Sequence, residues 1–81
     1  MHYFLYMLRC SDNTLYTGIT TDINRRLKEH NSSNKGAKYT RARRPVELVH
    51  KEKLEDKSSA LKREYEVKKM SREQKLLLIK K

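Results

Sequence analysis

The first twenty residues follow a pattern of apolar and polar positions that predicts a β-hairpin. In residues 3–10 (YFLYMLRC) both alternating sets of positions are apolar, which is typical of a central strand covered on both faces. Ser-Asp-Asn at 11–13 favours a turn, and β-branched and aromatic residues follow over 14–20. We therefore expect a hairpin over residues 3–20, with its first strand in the middle of a sheet.

The rest of the chain predicts three helices and one further strand. Asp22 caps a helix that ends near Asn31, and a basic loop follows over 32–44. After Pro45 a strand runs from Val46 to about Leu54. A second helix begins at Asp56 or Ser58 and ends near Met70, and a Ser71–Gln74 capping box begins the last helix. The order is β-β-α-β-α-α. We expect an α+β fold, with a small three-stranded antiparallel sheet flanked by helices, as one domain over residues 1–81.

Composition narrows the class of protein. Hydrophobic residues make up 36% and charged residues 37% of the chain, and no window holds the roughly 18 apolar residues of a membrane span. The single cysteine, Cys10, excludes an intramolecular disulfide. The apolar start has neither a basic segment before it nor a small-residue cleavage site, so it does not predict a signal peptide. We expect a cytoplasmic, monomeric protein with no membrane contact.

The net charge of +10 is concentrated in the middle of the chain, where residues 25–51 hold nine basic and two acidic side chains. Within this range, residues 35–44 carry five basic residues and no acidic one. A cluster of this kind with a tyrosine among its members favours phosphate contacts with nucleic acid over a solubilising surface or an anionic lipid contact. The predicted nucleic-acid-binding residues are Lys35, Lys38, Arg41, Arg43 and Arg44.

Two polar side chains lie beside the apolar stripe of the first helix. Ile23 and Leu27 form the stripe, and at 100° per residue Arg26 and His30 lie next to it, one turn apart. Because desolvating a charge without a partner is costly, the pair belongs either to a functional site or to a structural arrangement. In the structural arrangement the arginine stem extends to solvent and the histidine makes one core hydrogen bond.

A carboxylate lies in the middle of an apolar stripe in the second predicted helix. On the helical wheel Glu64 falls between Ala60 and Leu61, within the apolar stripe that Val67 also joins, where a carboxylate is normally excluded. It must therefore meet a cation. The two candidates are the guanidinium of Arg26, as a structural pair, and a metal ion held by oxygen ligands. Glu64 is the best candidate for a Mg²⁺ ligand.

Tyr16 and Gly18 share one face of the second strand, and the glycine indicates a close approach by another group. A two-residue turn at 12–13 would place Tyr6 on the opposite face from Tyr16. A three-residue turn at 12–14 would place the two on the same face. Tyrosines in strands are more often core residues than catalytic ones.

Taken in order, these residues resemble the GIY-YIG nuclease family. The matching pieces are Phe4-Leu5-Tyr6, then Tyr16-Thr17-Gly18, then the series Thr20-x-Asp22-Ile23-x-x-Arg26-Leu27-x-x-His30, and later the helical Glu64. The stretches YTGITTD, KYTRARRP and ALKREYEVKK look like those of the small free-standing bacterial members. The resemblance covers residues 3–79.

The resemblance implies an endonuclease that hydrolyses DNA phosphodiester bonds with one divalent cation such as Mg²⁺, in DNA repair or recombination. It implies that one of Tyr6 and Tyr16 is the general base and the other positions the phosphate. Arg26 would stabilise charge on the phosphate, His30 would relay a proton, Tyr39 would assist, and Glu64 would ligate the metal. Phosphoryl transfer needs mainly positioning and charge neutralisation, which these side chains offer.

The sequence departs from the family pattern at three points. The first tripeptide lacks its glycine, no asparagine occurs over residues 65–81, and no recognition domain is appended. These departures predict activity that is weak, non-specific or dependent on a partner protein that supplies specificity. The alternative function is a basic nucleic-acid-binding module of the same fold with little or no cleavage, and a third is an RNA- or ribosome-associated protein.

Overall fold

The computed structural model describes residues 2–32 and 35–80, and all six predicted elements are present in the predicted order. One additional short helix lies between the first predicted helix and the last predicted strand. The elements are β1 (Tyr3–Arg9), β2 (Leu15–Thr20), α1 (Ile23–Ser32), α2 (Lys38–Arg41), β3 (Glu47–Leu54), α3 (Lys57–Lys68) and α4 (Arg72–Ile79). None of the helices in this part of the chain is both long and apolar enough to cross a membrane.

The sheet has the strand order β2-β1-β3, and both pairings are antiparallel. The central position of β1 explains why both of its faces are apolar, as the sequence predicts. A β-bulge interrupts the β1–β3 pairing between Met7 and Leu8, so that Met7 pairs with His50 while Leu8 pairs with Leu48.

The hairpin turn differs from both of the turns considered from the sequence. The N–H of Cys10 donates to the carbonyl of Thr14, which leaves a three-residue loop at 11–13, and Asn13 has a φ of 67°. Asparagine is one of the few residues that adopt this left-handed conformation readily. The register pairs Tyr6 with Gly18. Tyr6 and Tyr16 therefore lie on the same face, as the three-residue alternative predicts.

The two faces of the sheet are covered by different helices. On one face Tyr6, Leu8, Cys10 and Val46 pack with Tyr16, Leu48 and the α1 residues Ile23 and Leu27. On the other face Leu5, Met7 and the α3 residue Val67 pack with Leu15, Val49 and Met70 and with residues of α4. Burial of this apolar surface is the main stabilising contribution in a domain of this size.

Local capping signals place the helix starts correctly. The Asp22 carboxylate accepts a hydrogen bond from the backbone N–H of Arg25, and the Asp56 carboxylate accepts one from the backbone N–H of Ser59. Of the two predicted starts for the second long helix, the one at Asp56 is therefore confirmed. The reciprocal capping box that begins α4 is also present.

The prediction of a basic loop over 32–44 is wrong for its centre. Residues 38–41 form α2, and Thr40 within it is fully buried. Gly36 is also buried, and a methyl group at its position would lie 2.6 Å from the carbonyl oxygen of Glu29 and 2.8 Å from Cα of His30. Gly36 thus lies in close contact with α1, whereas the five positive charges of the segment suggest a loop.

Candidate active site

Two tyrosines and a histidine meet on the face of the sheet that α1 covers. The ring centroids of Tyr6 and Tyr16 lie 6.4 Å apart, and that of His30 lies 5.7 Å from Tyr6 and 5.3 Å from Tyr16. The hydroxyl oxygen of Tyr6 is 2.9 Å from Nε2 of His30, which is hydrogen-bond distance. The hairpin register and α1 thus bring three of the predicted site residues into contact.

The close approach that Gly18 indicates is made by Tyr6. A methyl group at Gly18 would lie 2.5 Å from the Tyr6 hydroxyl oxygen and 2.7 Å from its Cζ. The phenol therefore lies over the backbone of β2, where any larger residue would collide with it. Since β2 is an edge strand, the Tyr6 hydroxyl points towards an edge of the sheet.

His30 is fully buried, and both of its ring nitrogens have partners. Nε2 faces Tyr6, and Nδ1 lies 2.8 Å from the hydroxyl oxygen of Thr40 on α2. Burial and the positive charges of Arg26 and Arg44 lower the pKa of His30 to about 4. The imidazole is therefore neutral near pH 7, and one of its two ring nitrogens carries no proton and can accept one.

The buried His30 should make the protein less stable as the pH falls from about 6.5 to about 5. In this interval the unfolded chain protonates this histidine at its ordinary pKa, whereas the folded protein, with a pKa of about 4, does not. The unfolded state then binds more protons, so the free energy of unfolding decreases by up to about 1.4 kcal/mol per pH unit. Carboxylates with lowered pKa values, such as that of Glu29, add to this decrease only below about pH 5.

Urea melts of the wild type and of His30→Gln at several pH values in this interval measure the free energy of unfolding. The variant should lose the dependence between about pH 6.5 and about pH 5 that wild type shows. An equal slope in both proteins would assign the effect to another group.

Arg26 lies beside Tyr6 and pairs with Glu29, not with Glu64. Its Nη1 donates to the Glu29 carboxylate at 2.9 Å and to the backbone carbonyl of Lys35 at 2.7 Å. Burial raises the pKa of the Tyr6 phenol, and hydrogen bonding and charge from Arg26 oppose that shift. The structural pairing of Arg26 with Glu64 considered from the sequence is thus wrong, because a nearer carboxylate lies three residues away on the same helix.

Glu64 lies on a helix that packs on the other face of the sheet from the Tyr6 cluster. It lies on α3, which packs against β1 and β2, and its side chain is 19% exposed. Its carboxylate is close enough to Tyr6 for its negative charge to raise the pKa of the phenol. The ion pair that the structure gives it is with Lys68, one helical turn away, at 3.4 Å between Oε2 and Nζ.

Tyr39 forms the exposed rim of the cluster. Its ring stacks on that of Tyr16, with centroids 6.0 Å apart and planes inclined by 25°. The guanidinium carbon of Arg43 lies 3.9 Å from the ring centroid of Tyr39. With 40% of its surface exposed, Tyr39 can contact a large ligand that covers the site.

Comparison with known proteins gives this arrangement a family. Residues 2–76 match the GIY-YIG catalytic domain. The chain belongs to the GIY-YIG family. A UPF0213 protein of Desulfotalea psychrophila is 58% identical over 78 residues, which cover 96% of this chain and 71% of that protein. A UPF0213 protein of Syntrophus aciditrophicus is 60% identical over 77 residues, which cover 95% of this chain and 88% of that protein.

Solved structures share the fold of this GIY-YIG domain. The solution NMR structure of the UPF0213 protein BH0048 from Bacillus halodurans has a TM-score of 0.63 and 48% sequence identity, over 99% of this chain and 84% of that one. The NMR structure of EF2693 from E. faecalis has a TM-score of 0.67 at the same identity and coverage. The three-stranded antiparallel sheet with its helices is therefore the fold of these small GIY-YIG proteins.

Two of the five basic residues predicted to bind phosphate are engaged within the GIY-YIG domain itself. Nε of Arg43 donates to the Asp12 carboxylate at 3.0 Å, and Arg44 donates to the backbone carbonyls of His30 and Glu29. These contacts join the segment to the hairpin turn and to the end of α1. Arg43 and Arg44 thus have structural partners that the sequence did not indicate.

The other three basic residues lie on the surface of the basic segment. Lys35, Lys38 and Arg41 are exposed, and the backbone carbonyl of Lys35 holds Arg26. The side chains of Lys38 and Arg41 pair with no residue in the part of the chain that the structure describes.

Sequence reasoning missed Thr40. It lies ten residues after His30 in a segment interpreted as a loop, and no spacing rule links the two. Thr40 differs from its exposed basic neighbours in being buried, and it is buried because α2 packs on α1, a contact that the sequence does not show.

Proposed function

We propose that this protein is a divalent-metal-dependent endonuclease that hydrolyses DNA phosphodiester bonds. The observation that carries the proposal is the position of the Tyr6 hydroxyl. The hydroxyl is hydrogen-bonded to the neutral imidazole of His30 and lies beside the Arg26 guanidinium. The negative charge of Glu64 is close enough to raise the pKa of the phenol. Membership of the GIY-YIG nuclease family supports the same conclusion.

In the proposed reaction Tyr6 activates the attacking water. The water oxygen bonds to phosphorus and its proton passes to the Tyr6 oxygen, while the proton of Tyr6 passes to Nε2 of His30. The bond from phosphorus to the leaving sugar oxygen breaks, and that oxygen takes a proton from solvent. Arg26 stabilises the charge on the phosphate, and the phosphate in turn offsets the part of the His30 pKa lowering that comes, after burial, from the charges of Arg26 and Arg44. Tyr16 positions the phosphate.

Glu64 is the proposed metal ligand. Among the described residues no group of three or more His, Cys, Asp or Glu side chains could hold a metal ion. Mg²⁺ is often bound through one or two carboxylates, with substrate phosphates and waters as its other ligands. The Lys68 side chain is exposed, so if its ion pair with Glu64 breaks, the lysine charge moves into solvent and is not left buried. The bound cation would neutralise charge on the scissile phosphate.

The proposal is tested with supercoiled plasmid, branched DNA and single-stranded DNA, each with Mg²⁺ or with a chelator. We expect cleavage products only with Mg²⁺. Preference for the branched substrate would support a role in DNA repair or recombination, and a need for added cell extract would indicate a partner protein that supplies specificity. Binding to all three DNAs without any product would instead favour the non-cleaving binding module.

The double variant Lys38→Ala/Arg41→Ala should weaken the salt dependence of DNA binding. Each phosphate contact that is lost reduces the slope of log K against log salt by about 0.9, so two lost contacts reduce it by about 1.8. Fluorescence anisotropy over a series of salt concentrations measures the slope.

The matched control is Lys62→Ala/Lys80→Ala. It removes the same charge from exposed positions on α3 and after α4, the helices on the other face of the sheet. We expect a nearly unchanged slope for this variant. Equal slopes for the two double variants would show that α2 is not part of the DNA-binding surface.

A further inference from the structure

A continuous chain of hydrogen bonds runs from Tyr6 through His30 to α2. The Tyr6 oxygen lies 2.9 Å from Nε2 of His30, Nδ1 lies 2.8 Å from Oγ1 of Thr40, and that hydroxyl donates to the backbone carbonyl of Ala37 at 2.9 Å. His30 and Thr40 are both fully buried. Water therefore does not compete for these bonds, and the positions of their hydrogens are decided within the protein.

The Thr40 hydroxyl has a single hydrogen, and its use determines the tautomer of His30. When this hydrogen is donated to Ala37, the Thr40 oxygen can only accept, so Nδ1 of His30 must carry a proton and donate it. A neutral imidazole then has its lone pair on Nε2, which accepts the Tyr6 hydroxyl proton. In this arrangement the lone pairs of the Tyr6 oxygen are directed away from His30 and can receive a proton from water.

A competing donor faces the same nitrogen. The backbone N–H of Ala37 points at Nδ1 from 3.4 Å, and it would favour the opposite tautomer, in which Nε2–H donates to Tyr6. The contact with Thr40 is shorter by 0.6 Å and lies in the usual range, whereas 3.4 Å lies beyond it. The balance between these two neighbours of Nδ1 therefore depends on the hydroxyl of Thr40.

We propose that Thr40 is a positioning residue that holds the proton of His30 on Nδ1, so that Nε2 is the acceptor for Tyr6. The catalytic consequence rests on the proposed function, because it matters only if Tyr6 activates water. The tautomer itself does not rest on it and can be measured in the free protein. The second ring nitrogen of a histidine is often fixed in this way by a hydrogen bond from outside the reacting centre.

The test is the tautomer of His30, read from the ¹⁵N shifts of its ring nitrogens at about pH 7.5, well above its pKa of about 4. Wild type should show a protonated Nδ1 and an unprotonated Nε2. Thr40→Ser keeps the hydroxyl and should keep this tautomer. Thr40→Val keeps the shape without the hydroxyl, so the N–H of Ala37 becomes the partner of Nδ1, and the proton should move to Nε2.

Two results would overturn the proposal: a proton on Nε2 in wild type, or an unchanged tautomer in Thr40→Val. If Thr40→Val does not fold, Thr40→Ala serves as the variant without a hydroxyl, and a wild-type tautomer in that variant overturns the proposal equally. Backbone amide spectra report folding, so that a loss of structure is not mistaken for a change of tautomer.

Cleavage assays separate this proposal from the proposed function. With an active wild type, Thr40→Val should cleave about 10- to 100-fold more slowly with unchanged DNA affinity, and Thr40→Ser should restore most of the rate. Equal rates for wild type and Thr40→Val would overturn the positioning role. An inactive wild type with the expected tautomers would reject the nuclease function while leaving the assignment of the His30 proton in place.

Discussion

Glu64→Gln should abolish Mg²⁺-dependent DNA cleavage while the protein stays folded and still binds DNA. The amide has almost the shape of the carboxylate but lacks the negative charge that a hard divalent cation requires. We expect a loss of at least about 10²- to 10³-fold in rate, the range seen when one charge-stabilising group is removed from an active site. Single-turnover cleavage, DNA binding and a thermal melt are measured on the same preparation.

The stability of this variant should change little. Glu64 pairs with Lys68 at an i, i+4 spacing, and the lysine is largely exposed. Such pairs contribute about 0.3–0.5 kcal/mol, so losing this one should shift the unfolding free energy by less than about 1 kcal/mol. A large loss of stability would instead indicate that the carboxylate has a structural role.

Two matched variants show whether the charge of Glu64 itself is needed. Lys68→Gln breaks the same ion pair from the other side and should leave cleavage intact, because the carboxylate remains. Glu66→Gln removes an equal charge from the same helix, at a carboxylate paired with Arg63, and should also leave cleavage intact. Equal losses in Glu64→Gln and Lys68→Gln would mean that the ion pair matters and that Glu64 is not a metal ligand. Normal cleavage by Glu64→Gln would remove this residue from the mechanism.

The features that the sequence predicts correctly are those set by short-range chemistry. The β1 pattern, the Asp56 cap and the capping box of α4 each depend on residues within a few positions of one another. The face shared by Tyr6 and Tyr16 is different, because it depends on the turn. A shift of one residue in register would separate them, and the sequence left two turns open, neither of which is the one at 11–13.

The features that the sequence did not predict depend on contacts between distant elements. Five positive charges over residues 35–44 suggested a loop, yet Thr40 and Gly36 pack against α1 and bring Arg44 to backbone carbonyls of that helix. The sequence predicts that Glu64 meets Arg26 or a metal, whereas the structure pairs it with Lys68, whose i, i+4 spacing places it on the same face of the same helix. Helical periodicity locates a carboxylate but does not identify its partner.

Gly18→Ala should destabilise the protein by about 1–3 kcal/mol, the usual cost of overpacking a buried site. The added methyl group would lie 2.5 Å from the Tyr6 oxygen and 2.7 Å from its Cζ, so the ring must move off β2. That movement also breaks the hydrogen bond to His30. We therefore expect cleavage to fall more steeply than stability does. Urea melts and single-turnover rates measure the two effects.

A double-mutant cycle with Tyr6→Leu tests whether the Tyr6 ring is the cause. The backbone of Gly18 does not have a positive φ, so alanine fits its conformation. With the ring shortened to leucine, Gly18→Ala should change from destabilising to neutral or stabilising by about 0.4–1 kcal/mol, because alanine restricts the unfolded chain. Gly36→Ala is the control: its methyl group would meet backbone atoms of Glu29 and His30, so it should stay destabilising in both backgrounds. If Gly18→Ala costs the same with Tyr6 and with leucine, the ring does not explain the glycine, and the placement of the Tyr6 hydroxyl over β2 would be wrong.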